Sequence, residues 1–426
     1  MGRMLFAIYV FLLTMTLAVQ GQHQQRFPKP EFDSGYVQPQ ADAPEPRSGT
    51  MEWIDVIVLI AALSGGAFFV IWRRSRKGVL WLSVLSLAYF GFFREGCICS
   101  VGSLQNIALS LFSDSYAASL NVLAFFILPL VFALLFGRVF CGSVCPLGVL
   151  QDLVVLKPVK LPAGLQAALG LFPYLYLGFA VLFAATGTDF IICRYDPFVG
   201  IFRLGAPFYM VLLGIGFLLV GIFVARPYCR FVCPYGVLLR WMSYFSQYHL
   251  TITPDKCIEC RLCADSCPFD AIVPPTGDLS IYSTQKYRRK FLLLLLLVPV
   301  FALSGGYLLS HSHSFFARAD RTVYLADMLI QNPEMQYSTG NLDIETFMAS
   351  GKSLGTLAQE AAEIRADFYK GTWILGLFLG LVFGIALLRQ VVFRRHDGFS
   401  PHKGDCVSCA RCFDYCPVTV KNQQKR

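Results

Sequence analysis

The sequence predicts an all-α polytopic membrane protein with about seven transmembrane helices and two internal repeats, carrying a small α+β module on one face. Three observations carry that prediction. The 426 residues are 55% hydrophobic, 15% aromatic and only 15% charged, too apolar for an ordinary water-soluble core. The apolar residues fall in separate windows long enough to cross roughly 30 Å of hydrocarbon. The 15 cysteines fall in repeated patterns, some between the windows and some at their ends. A formal charge of +9 would suit a polyanionic partner, but the basic residues gather beside apolar windows. The charge therefore follows membrane topology, and no nucleic-acid site is read.

From the N-terminus, Arg3 precedes an apolar run from Met4 to Val19, with Val19 and Gly21 placed as in a secretory cleavage site. Residues 1–21 are expected to be a signal peptide or, uncleaved, an N-terminal helix. Residues 22–50 are Pro-rich and polar and read as a disordered linker. Spans are expected at Trp53–Trp72, Val79–Phe93, Val122–Phe136, Leu165–Ala185, Pro207–Ala225, Phe291–Leu309 and Trp373–Leu388. Basic residues set their direction: Arg73, Arg74, Arg76 and Lys77 after the first, Lys286 to Lys290 before the sixth, and Arg389, Arg394 and Arg395 after the last. All of them fall on one side, the cytoplasmic one, when the first span starts outside. The expected location is the bacterial inner membrane, multi-pass.

The division that follows is a membrane domain over 51–245 with both repeats and a first module half over 246–285. A transmembrane helix (286–310), a periplasmic helical loop (311–370) and a second transmembrane helix (371–390) then lead to a second module half over 391–426. Within the loop, Ala319–Gln331 and Ser353–Tyr369 have helical apolar spacing, with Ser353 placed to cap the second.

The module halves carry one cysteine spacing twice, Cys257-x2-Cys260-x2-Cys263-x3-Cys267-Pro268 and Cys406-x2-Cys409-x2-Cys412-x3-Cys416-Pro417. In that bacterial ferredoxin run three cysteines bind one 4Fe-4S cluster and the fourth, before proline, ligates the neighbouring cluster. Two clusters are therefore expected, one on Cys257, Cys260 and Cys263 with Cys416, the other on Cys406, Cys409 and Cys412 with Cys267. Both halves share the cytoplasmic side, so they form one ferredoxin-like bis-4Fe-4S module split by a membrane hairpin.

The other cysteines repeat across the bundle. Arg138 precedes Cys141-x3-Cys145-Pro146-x-Gly148, and Arg226 precedes Cys229-x3-Cys233-Pro234-x-Gly236, each at the cytoplasmic end of a span. Cysteines four apart share a helix face, so the two halves together offer four thiolates, the number that an iron or iron–sulfur site takes; paired dithiols fit the spacing equally. At the outer ends, Cys97 and Cys99 precede the third span and Cys193 precedes the fifth. These three either hold a further metal or iron–sulfur centre, with Asp196 a candidate fourth ligand, or form one disulfide and one free thiol.

Other carriers are poorly served. No Cys-x2-Cys-His occurs, which excludes c-type haem by motif, and the six histidines (His23, His249, His311, His313, His396 and His402) lie outside the span interiors. The Ser/Thr-Gly-Ala-Ser/Thr pattern of a threonine-linked flavin is absent.

The repeated Cys-x3-Cys-Pro and the paired ferredoxin runs resemble the membrane polyferredoxins of the NosR/NapH family, over roughly Glu52 to Val420. The likeness is greatest to the membrane and C-terminal ferredoxin part of the NosR branch, without its periplasmic flavin-binding domain. The resemblance implies an electron-transfer subunit of an oxidoreductase system, passing electrons between the cytoplasmic clusters or the quinone pool and a periplasmic flavoprotein or reductase of anaerobic respiration, as in nitrous oxide reduction. It also leaves open a maturation or regulatory factor that reduces a partner's metal site or disulfide, and a NapH-like quinol dehydrogenase.

Overall fold

A chain in hydrocarbon has to satisfy its backbone hydrogen bonds internally, and helices are how these apolar windows do so. The computed structural model describes residues 49–417 apart from 97–98, 114–115, 157, 204–206, 253–256, 277–284, 333–340, 393–395 and 397. The expected signal peptide, most of the linker, Cys97, Arg394 and Arg395 lie outside the described residues. Among the described residues four helices are long and apolar enough to cross a membrane: Gly49–Trp72, Ala163–Ala185, Tyr287–Ser310 and Leu354–Arg389. Leu120–Phe136 and Phe208–Gly221 are shorter apolar helices, and the expected second span is helix Arg76–Ser86 followed by a wide turn, Leu87–Phe93.

The core is built between these helices. Leu59, Leu63, Phe90, Leu104, Phe125, Val144, Phe198, Tyr228 and Tyr235 form one buried cluster, and the first helix lies so close to the wide turn Phe140–Val144 that a Cβ on Gly66 would overlap Ser143 Oγ. Arg76, one of the basic residues read from sequence as setting topology, is buried, because its guanidinium has partners inside, described below.

The expected Ser353–Tyr369 helix and the last span form one continuous helix, Leu354–Arg389. Ser353 caps it, its Oγ accepting from Thr356 N at 3.2 Å. The short helices His313–Ala317, Arg321–Gln331 and Leu342–Ala349 pack against it through Ala317, Val323, Leu329, Ile344, Phe347 and Phe368. Arg321–Gln331 falls in the segment read as helical from its apolar spacing; the other two short helices were not singled out in the sequence.

At the other end the two module halves join in a two-stranded antiparallel ribbon, with Ile272 opposite Pro401 and Val273 opposite Ser400. His402 N donates to Ala271 O at 2.7 Å beyond it. Val70 and Val79 of the membrane domain share a buried cluster with Leu250, Ile252, Phe399 and Phe413, which seats the module on the helix ends.

The hairpin of Tyr287–Ser310 and Leu354–Arg389 closes on glycine. A Cβ on Gly305 would lie 2.5 Å from Gly376 O, and one on Gly376 would lie 2.8 Å from Gly306 Cα. Small residues give such backbone approach between membrane helices. Gly376→Val should therefore lower the thermal midpoint in detergent, at the roughly 1–3 kcal/mol typical of overpacking. Gly216→Val, where a Cβ meets nothing within 4 Å, should leave it nearly unchanged.

Candidate functional site

The two ferredoxin runs thread their loops alike. The backbone is left-handed at Glu259 (φ 52°) and Arg261 (φ 61°) in the first, and at Ser408 (φ 54°) and Ala410 (φ 61°) in the second, matched positions between the cysteines. None is glycine, so each carries a cost on the order of 1–3 kcal/mol that the surrounding structure has to sustain. Alternating hand turns successive N–H groups toward a common point, a nest suited to an anionic group such as an iron–sulfur site. Ser408 is fully buried with no hydrogen-bond partner for its Oγ, so a donor there is left for a group the nest would hold.

Each loop runs into a short helix, Leu262–Asp265 or Arg411–Asp414, that carries the third cysteine. The fourth cysteine crosses over: Cys257, Cys260, Cys263 and Cys416 line one hollow, closed by Ile252, Phe399 and Pro417. In the second set burial pushes the Cys406 thiol up to about 12, with Cys409 and Cys267 adding to the rise. Cys412 is raised by burial and then by Cys409, Cys406 and Cys267. The structure thus gathers the two four-cysteine groups expected from the spacing. Such groups stay thiols at neutral pH unless a cation takes up the charge of the thiolates.

Among the described residues no three His, Cys, Asp or Glu side chains close to the spacing of a single metal ion. In a cubane each thiolate binds a different iron, so its sulfurs stand further apart than the ligands of one ion. An all-cysteine donor set, the paired nests and the orphaned Ser408 Oγ fit a 4Fe-4S cluster at each set.

The membrane cysteines differ from the single helical face expected for them. Cys141 lies in the wide turn Phe140–Val144 and Cys229 in the short helix Pro227–Phe231, whereas Cys145 and Cys233 are extended (ψ 115° and 113°). The cause is the following proline, which disfavours helical geometry in the residue before it. New helices, Pro146–Val154 and Pro234–Tyr244, begin there. The four thiols are nonetheless neighbours, since Cys145 has Cys229, Cys141 and Cys233 as its electrostatic partners. Gln151 Nε2 donates to Cys229 Sγ at 3.2 Å, and Arg138 Nη2 donates to Cys141 Sγ at 3.6 Å.

Sequence reasoning did not pick out the charges around them. Asp152 is paired with Arg226 at 2.9 Å, Arg76 at 3.3 Å and Arg411 at 3.8 Å, its side chain only 8% exposed. One carboxylate against three guanidinium groups leaves two positive charges in surplus, whereas nearby buried Arg138 has Asp405 as a carboxylate partner. Buried charge is costly unless matched, and thiolate-ligated clusters would supply the missing negative charge. Arg138 and Arg226 hold equivalent places in the two repeats, which is the sequence signal that could have found them; nothing in the sequence marks Asp152.

At the opposite end Cys99 and Cys193 line a cavity of about 260 Å³ with Asp196, Asp55, Glu52, Arg94 and Arg203. Burial pushes the Cys99 thiol up to about 12, and Asp196 adds to it. Gln105 Oε1 fixes the short helix Ile191–Arg194 in this wall by accepting from Ile192 N at 3.0 Å and Cys193 N at 3.3 Å.

Comparison with known proteins agrees with the cysteine geometry. A family model described as a 4Fe-4S binding domain matches residues 119–162 and again 206–252, the two Cys-x3-Cys-Pro segments. A second model of the same description matches 250–273. The chain is 27% identical over 220 residues to NosR of Stutzerimonas stutzeri and 27% identical over 216 residues to NapH of Haemophilus influenzae, 47% of this chain in each case. These matches support a NosR/NapH-family 4Fe-4S membrane protein. The chain is also 29% identical over 188 residues to YccM of Escherichia coli, covering 39% of this chain. The matched stretches span 75% of NapH, 52% of YccM and 30% of NosR. No solved structure matches.

Burial alone would raise the Asp152 carboxyl, but Arg226, Arg411 and Arg76 outweigh it and hold it well below the usual carboxylate range. A depressed folded pKa gives stability that is full above the unfolded value, about 3.9, and is lost only as pH falls through the folded one. Between pH 5 and 8, on the order of neutral, this contribution should stay flat. Asp152→Asn should cost about 3–5 kcal/mol, as for breaking a buried ion pair. Thermal melts across that range should give parallel curves for parent and variant; curves converging toward pH 5 would show that Asp152 titrates higher.

Proposed function

We propose that the protein is an inner-membrane electron carrier, relaying electrons between cytoplasmic 4Fe-4S clusters or the quinone pool and a periplasmic flavoprotein or reductase of anaerobic respiration. The observation that carries this reading is the placement of cysteines. The loop of Cys406 and Cys409 lies against Gly142 beside the membrane cysteines, Cys257, Cys260, Cys263 and Cys416 line a second hollow of the same module, and Cys99 and Cys193 line a cavity at the other end of the bundle. Of the relatives, YccM is named for electron transport, and the seven-span topology with its inside-positive orientation is part of the same proposal.

When bound, the clusters supply one-electron redox chemistry. The chain's own residues do the rest. Cys257, Cys260, Cys263 and Cys416 hold one cluster, and Cys406, Cys409, Cys412 and Cys267 hold the other. Arg76, Arg138 and Arg226 offset the anionic charge from the bundle side. Val70, Ile252, Phe399 and Phe413 keep water from the seat of the module. Hydrogen bonds to the sulfurs, of the kind Gln151 makes to Cys229, tune reduction potential.

Anaerobically purified protein should contain about eight irons, with matching acid-labile sulfide, if the two ferredoxin groups alone are filled; a higher value establishes metal at the membrane cysteines. By electron paramagnetic resonance, Cys416→Ser should alter the signal that Cys257→Ser alters, and Cys267→Ser the one that Cys406→Ser alters. Pairing Cys267 with Cys257 instead would overturn the crossover. Slow reoxidation of the dithionite-reduced protein by every acceptor tried would sink the relay and favour a regulatory role, the one NosR is named for.

A further inference from the structure

The module meets the bundle unevenly. On the side of the second half, backbone touches backbone: a Cβ on Gly142 would lie 2.8 Å from Ser408 O and closer still to Val407 O. The bundle also holds three carbonyls of that half. Arg76 Nη1 donates to Cys409 O at 2.7 Å, Arg138 Nη1 to Gly404 O at 3.3 Å and Ser243 Oγ to Lys403 O at 2.5 Å. Lys403 Nζ in turn donates to Ser246 O at 2.9 Å.

The first half is held by backbone at its start, where Gln247 N donates to Leu134 O at 3.3 Å and Tyr248 N to Leu135 O at 2.8 Å, but around its cysteine loop it meets the membrane cysteines at side-chain reach. Arg230, which follows Cys229 as Gly142 follows Cys141, pairs with Asp270 at 3.6 Å, and the Arg226 guanidinium lies 5.7 Å from the Phe269 ring centre. Cys257 and Cys260 are exposed, whereas Cys409 is buried.

We propose that the contact of Cys141-Gly142 with Val407-Ser408 is the electron-transfer junction between module and membrane cysteines, and that Gly142 is the positioning residue that fixes its width. The inference rests on the cluster reading above and adds which of the two cysteine groups faces the bundle. One electron at a time would pass from a reduced 4Fe-4S cluster held by Cys406, Cys409, Cys412 and Cys267 to an oxidised iron–sulfur centre held by Cys141, Cys145, Cys229 and Cys233, the segments that the 4Fe-4S binding model matches; the first is oxidised, the second reduced, and no bond forms or breaks. A side chain at 142 has no room that does not push the Val407–Ser408 backbone, and with it Cys406 and Cys409, away from Cys141.

The test uses the full chain in proteoliposomes, reduced by dithionite on the module side and oxidised by impermeant ferricyanide on the other. Gly142→Val should keep the parent's iron and sulfide, lose the spin–spin splitting between module and bundle centres, and slow reoxidation by roughly tenfold, since positioned reactions lose rate steeply on displacement. Gly142→Ala should fall between, and Arg230→Ala should stay near the parent. Gly142→Val with the parent's splitting and rate would overturn the junction, as would an Arg230→Ala variant that is equally slow. Should Gly142→Val fail to load iron, Gly142→Ala and Arg76→Met decide. Slower reoxidation in either supports the junction, and parent rates in both overturn it. A parent that ferricyanide does not reoxidise overturns the relay itself, and the junction with it.

Discussion

One buried carboxylate gathers the module-facing side of the molecule. Asp152 draws in Arg76 from the start of the second helix, Arg226 from the second repeat and Arg411 from the far module half. Four stretches of chain, remote in sequence, meet at one atom pair. A buried ion pair is weak grounds for stability by itself, because desolvation opposes the attraction. Its effect here is to fix position: two of the three arginines go on to donate to cysteine carbonyls, Arg226 to Cys141 O and Arg76 to Cys409 O. The surplus of guanidinium over carboxylate then makes sense only beside groups that carry negative charge.

The repeats interlock rather than merely adjoin. A Cβ on Gly148 of the first repeat would stand 3.1 Å from Arg226 Nη1 of the second, and one on Gly236 of the second would stand 3.5 Å from Arg138 Nη2 of the first. Each repeat thus supplies a glycine floor for the other's arginine. The Cys-Pro steps that start the helices beneath these glycines turn the thiols inward at the same level. Where the halves differ, at Gly142 and Arg230, one half touches the module by backbone and the other by a long charged side chain.

Much of this was legible in the sequence, for identifiable reasons. The cysteine spacing announced both four-cysteine groups, because a cubane imposes a short, rigid pattern on the loop that holds it. The apolar windows located the helices, and Ser353 marked a helix start at its cap. Three features were not legible. Pairing of Asp152 with residues 76, 226 and 411 leaves no local period. Arg76 carries the same signal whether it faces lipid headgroups or a buried carbonyl. The unbroken helix from Leu354 to Arg389 hides in a change from amphipathic to wholly apolar surface, which reads as two elements.

The short ribbon between Ile272–Val273 and Ser400–Pro401 has a consequence for how the protein is made. The hollow begun by Cys257, Cys260 and Cys263 is completed by Cys416, which emerges from the ribosome only after both helices of the intervening hairpin. During synthesis the first three thiols therefore precede the fourth by the whole hairpin. The four-cysteine hollow is complete only once both helices have been made and have packed so that the chain returns to the module. Closure of the hollow thus depends on correct pairing of the two helices.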